Sequence, residues 1–164
     1  MNSSSETTSS GTRANKTGGR LESFVESALK EYKYVEFWDH KEQVFANRKT
    51  VGGKQFAGQV KVGDTIYGTE RIADFLVLNP DVFPEGLIIE CKWQQSAGSV
   101  DEKYPFLIFN IVKTGVPTII LLDGGGYKKN AEKWLRDQVD PFRSLVGVYT
   151  MSEFQRKVND GLLG

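Results

Sequence analysis

Three ionisable side chains stand in two neighbouring apolar segments of the chain. Asp74 lies in the first segment, and Glu90 and Lys92 lie in the second. Two carboxylates are the hard oxygen ligands that Mg²⁺ prefers. An amine beside them can orient an attacking water or stabilise charge on a phosphate. Brought together, these groups suit metal-assisted hydrolysis of a phosphodiester.

The two segments predict an antiparallel β-hairpin. The turn-forming residues between Asn79 and Gly86 centre near position 82, which sets Asp74 opposite Glu90. Opposed side chains in such a pair lie roughly 5 Å apart, so they can share one ion.

Alternation along the second strand gives it two different faces. One face carries Glu90, Lys92 and Gln94, and the other carries Cys91 and Trp93. Polar groups therefore project together from an otherwise apolar strand.

The pattern of an acid, any residue and a lysine is weak by itself, because it recurs at Glu31/Lys33, Asp39/Lys41 and Asp101/Lys103. Only at Glu90 does it follow an apolar run, Leu87 to Ile89, with an acid in the matching position of the preceding strand. The alternative is an ordinary ion-pair cluster on a polar sheet face. Buried charge without compensation is costly, which disfavours that alternative.

Asp81 is a rival for the first acid because it follows Pro80. It lies in the predicted turn, roughly 26 Å of extended chain from the middle of the next strand. We therefore prefer Asp74.

This segment resembles the signature of the PD-(D/E)XK nuclease superfamily. The resemblance extends to a preceding helix that contains Glu22 and to residues 96–139. The three signature positions map to Asp74, Glu90 and Lys92. Gln94 matches a glutamine that some branches carry two residues after the lysine. The sequence departs from the signature at Ala73, which precedes Asp74 where the proline is expected.

The resemblance implies an α/β fold with a restriction-endonuclease-like three-layer core, in which helices flank a central mixed β-sheet. It also implies Mg²⁺, with Mn²⁺ as a substitute, held by Asp74, Glu90 and the backbone carbonyl of Cys91. Lys92 is expected to act as a base or as an electrostatic stabiliser. Gln94 is expected to hydrogen-bond the substrate backbone or Lys92. Glu22 is implied as an auxiliary acid, although an acid in a first helical turn is also favoured by the helix dipole.

The expected function is Mg²⁺-dependent cleavage of double-stranded DNA by a small restriction-like homodimer, without a nucleotide cofactor. A junction-resolving, homing or repair nuclease would use the same residues. A catalytically inactive nucleic-acid-binding module remains a second class. An unrelated small-ligand domain that uses the glycine-rich segment Gly124–Gly126 is a third.

Composition limits the partners. The chain has 21 basic and 21 acidic residues, so any nucleic-acid contact must come from a local patch. A single cysteine excludes an internal disulfide and a cysteine-based zinc site. No apolar segment is long enough to cross a membrane, and the expected compartment is the cytoplasm.

The polar residues 1–19 predict a flexible tail, and residues 20–164 predict the nuclease domain. The first helix is expected from Arg20 to about Tyr32. A strand is expected from Tyr34 to Trp38. The only histidine, His40, is interpreted as structural or solvated.

A second hairpin is predicted with Gly52-Gly53 as its turn. Its arms carry residues that bind phosphates or read base edges: Arg48, Lys49, Lys54, Gln55 and Gln59. The alternative is a solvated edge hairpin whose lysines prevent aggregation.

After the signature, Ser99 and Glu102 form a capping-box pattern that predicts a helix through Lys113. Gly124–Gly126 predicts a tight turn from a strand into a helix from about Lys128 to Val139. The nucleic-acid-binding residues expected here are Ser99, Lys103, Lys128 and Lys129.

Overall fold

A computed structural model describes residues 10–37 and 41–164 of the chain. Residues 1–9 of the predicted tail lie outside the described residues, as do Trp38 and His40. None of the described helices is long and apolar enough to cross a membrane.

The described residues form one mixed sheet of six strands in the order β1-β2-β3-β4-β5-β6. β2, β3 and β4 are antiparallel to one another, whereas the β1/β2, β4/β5 and β5/β6 pairs are parallel. The strands are β1 Val35–Glu36, β2 Gln55–Asp64, β3 Glu70–Asn79, β4 Phe83–Trp93, β5 Thr118–Asp123 and β6 Leu145–Tyr149. The helices are α1 Ser10–Glu31, α2 Lys41–Val44, α3 Tyr104–Thr114, α4 Lys129–Asp137 and α5 Met151–Asn159.

Helices cover both faces of this sheet. α1 and α5 pack with Phe75, Val77 and Ile89 in one apolar cluster. α3 and α4 pack on the other face, against Ile120 and Leu122 of β5. The predicted three-layer α/β fold with a central mixed sheet is therefore confirmed.

The hairpin formed by β3 and β4 has the predicted register. Phe75 pairs with Ile89 and Leu76 with Ile88, so one further step places Asp74 across from Glu90. Asp81 lies in the connecting turn, as expected from its sequence neighbours.

Strict alternation fails in β3 near Asp74. Ala73 belongs to the same apolar cluster as Leu76 and Leu78, whereas Phe75 and Val77 face the opposite side of the sheet. The partner position in β2 is Gln59, whose φ of 52° is unusual for a residue other than glycine. In both strands, the alternation of side chains between the two faces of the sheet therefore shifts by one residue next to Asp74.

The predicted hairpin around Gly52-Gly53 is wrong. The segment before β2 contains the short helix α2 followed by turns, and β2 pairs with β1 and β3. Arg48 explains the difference, because its guanidinium donates to the carbonyl oxygens of Phe45 and Glu85 and fixes the segment as a turn. Within the described part of the strand predicted from Tyr34, residues Val35–Glu36 form β1, which is parallel to β2.

Two helix starts also differ from the prediction. α1 begins at Ser10, ten residues before Arg20, in a stretch whose few apolar residues gave no helical periodicity. The predicted capping box is absent: residues 99–103 form a 3₁₀ segment without a side-chain cap. The α-helix begins at Tyr104, where Pro105 suits the first turn.

Candidate active site

Asp74, Glu90 and Lys92 come together where β3 separates from β4. The ammonium of Lys92 lies 3.1 Å from Oε2 of Glu90 and 3.6 Å from Oδ2 of Asp74. Both carboxylates therefore converge on one cationic group. Glu90 is 5% exposed and Lys92 is 30% exposed, so the cluster opens to solvent on the lysine side.

Main-chain and side-chain donors fix Asp74. The backbone N–H of Cys91 donates to Oδ2 of Asp74 at 2.7 Å. The side-chain amide of Gln59 donates to Oδ1 at 3.2 Å. Gln59, a predicted nucleic-acid-binding residue, lies against the first acid. Its strained backbone fits a functional role, since such strain is common at active sites.

Arg71 lies beside the site, and the sequence patterns did not predict a role for it. Its guanidinium donates to Oε1 of Glu90 at 2.8 Å, and both side chains are 5% exposed. It also donates to the carbonyl oxygen of Asn110 at 3.1 Å and to the hydroxyl of Thr114. One oxygen of Glu90 is thus held by arginine while the other faces Lys92. The available signal was an arginine three residues before Asp74, but the sequence did not show that it faced inward.

The charges of the cluster act on one another. Burial lowers the pKa of Lys92, but the neighbouring charges of Glu90 and Asp74 outweigh it and raise that pKa above its usual value. Partial burial and the charge of Asp74 raise the pKa of Glu22, and Lys92 opposes them. Glu22 on α1 is therefore electrostatically coupled to the cluster, as an auxiliary acid would be.

Gln94 does not bond to Lys92, one of its two expected partners. Its side-chain oxygen accepts from the hydroxyl of Tyr104 at 3.2 Å, and its amide reaches the carbonyl oxygens of Ser96 and Gly126. Only 4% of the residue is exposed. Gln94 lies on the same side of β4 as Lys92, but it anchors the start of α3 and is not bonded to the lysine.

The glycine-rich turn after β5 packs directly against this segment. The N–H of Gly126 donates to the carbonyl oxygen of Gln94 at 2.7 Å. A Cβ at Gly126 would collide with main-chain atoms of Gln95 and Ser96. Gly124 and Gly126 thus permit a close approach of two backbones, and Gly125 has a φ of 72° that favours glycine, which explains the three residues without a bound nucleotide.

We expect Gly126→Ala to lower the free energy of unfolding by about 1–3 kcal/mol, because the neighbouring backbone must move. Urea denaturation followed by circular dichroism measures the change. Gly98→Ala is the matched control, since its nearest neighbour would be 3.9 Å away. Equal stability of the two variants would contradict the close packing at Gly126.

A cleft of about 470 Å³ opens beside Glu90 and Lys92. One wall is the start of β3, and the opposite wall is formed by residues 99–103 and the first turns of α3. Lys103, predicted to bind a phosphate, lines this cleft. It makes no ion pair with any residue that the structure describes.

The predicted nucleic-acid-binding residues fall into two groups. The first group comes from two segments that lie side by side, since the backbone N–H of Lys128 donates to Asp101 in the 3₁₀ segment. Its members are Ser99, Lys103, Lys128 and Lys129. The other group lies away from the cleft and is made up of Arg48, Lys49, Lys54 and Gln55.

The second group is occupied in structural contacts. Lys49 pairs with Glu85 at 2.6 Å, and Lys54 reaches the carbonyl oxygens of Tyr32 and Gly164. Gln55 donates to the carbonyl oxygen of Gly52. Glu85 lies five residues from Glu90 along β4, which corresponds to roughly 17 Å. This group therefore lies away from the acids, and its contact with nucleic acid stays a prediction.

The donor set suits a divalent cation. Within residues 10–37 and 41–164, no group of three or more His, Cys, Asp and Glu side chains is placed to hold a metal ion. Mg²⁺ needs only one or two protein carboxylates, however, with water and phosphate oxygens as its other ligands. Asp74 and Glu90 already converge on a common cation, the ammonium of Lys92, and the main chain of Cys91 lies against Asp74. The residues present therefore fit the ion.

The fold and this cluster define a nuclease domain. A family model described as a PD-(D/E)XK nuclease superfamily domain matches residues 13–162. The chain therefore belongs to the PD-(D/E)XK nuclease superfamily, and its substrate class is nucleic acid. No curated protein and no solved structure gave a significant match.

Proposed function

We propose that the protein is a Mg²⁺-dependent endonuclease that hydrolyses phosphodiester bonds of double-stranded DNA. The observation that carries the proposal is the convergence of Asp74 and Glu90 on the single ammonium of Lys92 at the mouth of an open cleft. A structural ion-pair cluster would have no need of a cleft.

In this proposal, Asp74, Glu90 and the carbonyl oxygen of Cys91 hold the ion. Bound there, Mg²⁺ would supply Lewis-acid stabilisation of the scissile phosphate and an activated water. Lys92 lies beside both carboxylates, where it orients the attacking water and stabilises negative charge on the phosphate. Arg71 holds Glu90 in one orientation. Preorganised charges of this kind stabilise a transition state without having to reorient during the reaction.

We propose that the active form is a homodimer. Each chain offers one cluster of this kind among its described residues, and a cut through both strands needs one site for each strand. Analytical ultracentrifugation with and without DNA measures the assembly, since one chain has a mass of 18.4 kDa.

We expect supercoiled plasmid to be cut in Mg²⁺ or Mn²⁺ and to stay intact in EDTA, because two carboxylates alone repel the phosphate backbone. Restoring excess Mg²⁺ should restore cutting. Gel electrophoresis of the plasmid over time measures the effect. Cleavage of equal rate in EDTA would contradict the metal-dependent mechanism. Intact plasmid under every metal condition would favour a catalytically inactive binding module.

The form of DNA that the protein cuts distinguishes the candidate biological roles. A regular double-strand cut at one short sequence supports a restriction-like enzyme. Preferential cutting of branched or nicked DNA supports a junction-resolving or repair nuclease. Linear, nicked and four-way-branched substrates of the same sequence are compared for this purpose.

A further inference from the structure

The cleft beside the acids has a mainly apolar lining. Its apolar side chains come from both walls: Ile72, Val100, Tyr104, Phe106 and Leu107. At the rim, the exposed ring of Tyr67 stacks on Phe106 with 5.2 Å between ring centroids. Ligand sites in proteins have volumes of about 300–1,000 Å³ and a similar mixture of apolar walls and few polar groups.

The charged residues of the cleft are mostly neutralised in pairs. Arg71 is paired with Glu90, and Glu70 at the rim is paired with Lys61 at 3.4 Å. Lys103 is exposed and forms no ion pair with any described acid. The cleft therefore combines an apolar interior with one cation at its edge and the catalytic cluster at its end.

Hydrogen bonds hold the two walls at a fixed separation. The side-chain oxygen of Asn110 accepts from the backbone N–H of Ile66 at 2.8 Å. Lys113 donates to the carbonyl oxygen of Thr65 at 2.7 Å, and Arg71 donates to that of Asn110. These bonds tie α3 to β3 and to the turn before it, so the cleft is formed before any substrate arrives.

A phosphate backbone does not suit such an interior, because burying charge against apolar walls is costly. A nucleobase does suit it, since its flat faces are apolar and stack on aromatic side chains, while its phosphates stay outside near cations. Glu90 and Lys92 line the same cleft, so a base inside it would belong to a nucleotide next to the phosphate under attack.

We propose that this cleft binds a nucleobase that has left the base stack, beside the phosphodiester that the enzyme cuts. The inference rests on the proposed function and narrows its substrate to DNA in which one base is unpaired or can be flipped out. An unpaired base has no base pair to break. Moving it into the cleft therefore costs less free energy than extruding a paired base.

The test compares two fluorescein-labelled duplexes of equal length, one fully paired and one with a single unpaired nucleotide at its centre. Binding is measured by fluorescence anisotropy in Ca²⁺. We expect the wild-type protein to bind the bulged duplex about tenfold more tightly. Phe106→Ala, which removes an aromatic wall, and Ile72→Trp, which fills the cleft, should both abolish this preference.

Two control variants separate base binding from general effects. Phe109→Ala alters an exposed side chain of α3 that does not line the cleft, and it should keep the tenfold preference. Lys103→Ala should weaken binding of both duplexes by a similar factor, as expected for a phosphate contact. Thermal melting of each variant confirms that it is folded.

Equal affinity of the wild-type protein for both duplexes, or a preference that survives in Phe106→Ala and Ile72→Trp, would overturn the inference. In that case plasmid cleavage in Mg²⁺ would still support the nuclease proposal. A protein that neither cuts plasmid nor binds either duplex would overturn both.

Discussion

Replacing Lys92 by alanine is expected to lower the rate of plasmid cleavage by about 10²–10⁴-fold, the range for a positioned group that acts on a proton or charge in the transition state. Its ammonium lies within 3.6 Å of both carboxylates, whereas Arg71 pairs with Glu90 alone, so the variant leaves Asp74 without an ion pair among the described residues. Asp74→Ala is expected to have an effect at least as large, because it removes a proposed ligand of the ion. Gel-based kinetics in Mg²⁺ measure both rates.

Lys133→Ala is the matched control. Lys133 also pairs with a carboxylate, Asp137, but on the exposed surface of α4. It should cleave at the wild-type rate. Circular dichroism should show that Lys92→Ala stays folded, since Glu90 keeps its bond to Arg71. A folded Lys92→Ala protein with wild-type activity would refute the proposed role of this lysine.

Replacing Arg71 by methionine is expected to lower the free energy of unfolding by about 3–5 kcal/mol, the cost of removing one partner from a buried ion pair. Glu90 would stay buried, at 5% exposure, with Lys92 as its one remaining described cation. Urea denaturation measures the loss. Cleavage should fall as well, because Glu90 loses the bond that sets its orientation.

The double variant Arg71→Met/Glu90→Gln separates buried charge from lost packing. Removing the charge should recover part of the stability, and the difference between single and double variants measures the coupling. Lys61→Met breaks the exposed pair with Glu70 and should cost no more than about 1 kcal/mol. Equal free energies of unfolding for Arg71→Met and Lys61→Met would contradict the structural role of the buried pair.

The site could be predicted from the sequence because the patterns that define it involve residues close together along the chain. Turn residues near position 82 set the hairpin register, and alternation in β4 set the direction of Glu90 and Lys92. As predicted, the opposite face of β4 carries Cys91 and Trp93, and the structure shows that they pack in the same apolar cluster as α1. The family resemblance rested on the same residues.

The basic residues were harder to place, because charge alone does not reveal a partner. Lys49 and Lys103 look alike in sequence. Lys49 pairs with Glu85 near the hairpin turn, whereas Lys103 lines the cleft. Only long-range packing distinguishes a lysine that stabilises a turn from one that is available to a phosphate.

The sequence by itself determined that Asp74, Glu90 and Lys92 form one cluster, because the spacing of apolar residues and turn formers fixes one hairpin and its register. The tertiary structure decided what surrounds that cluster. Arg71 meets α3 at Asn110, 39 residues further along the chain, and the walls of the cleft come from β3 and α3. Contacts between such distant segments depend on how whole elements pack, and local periodicity carries no information about them.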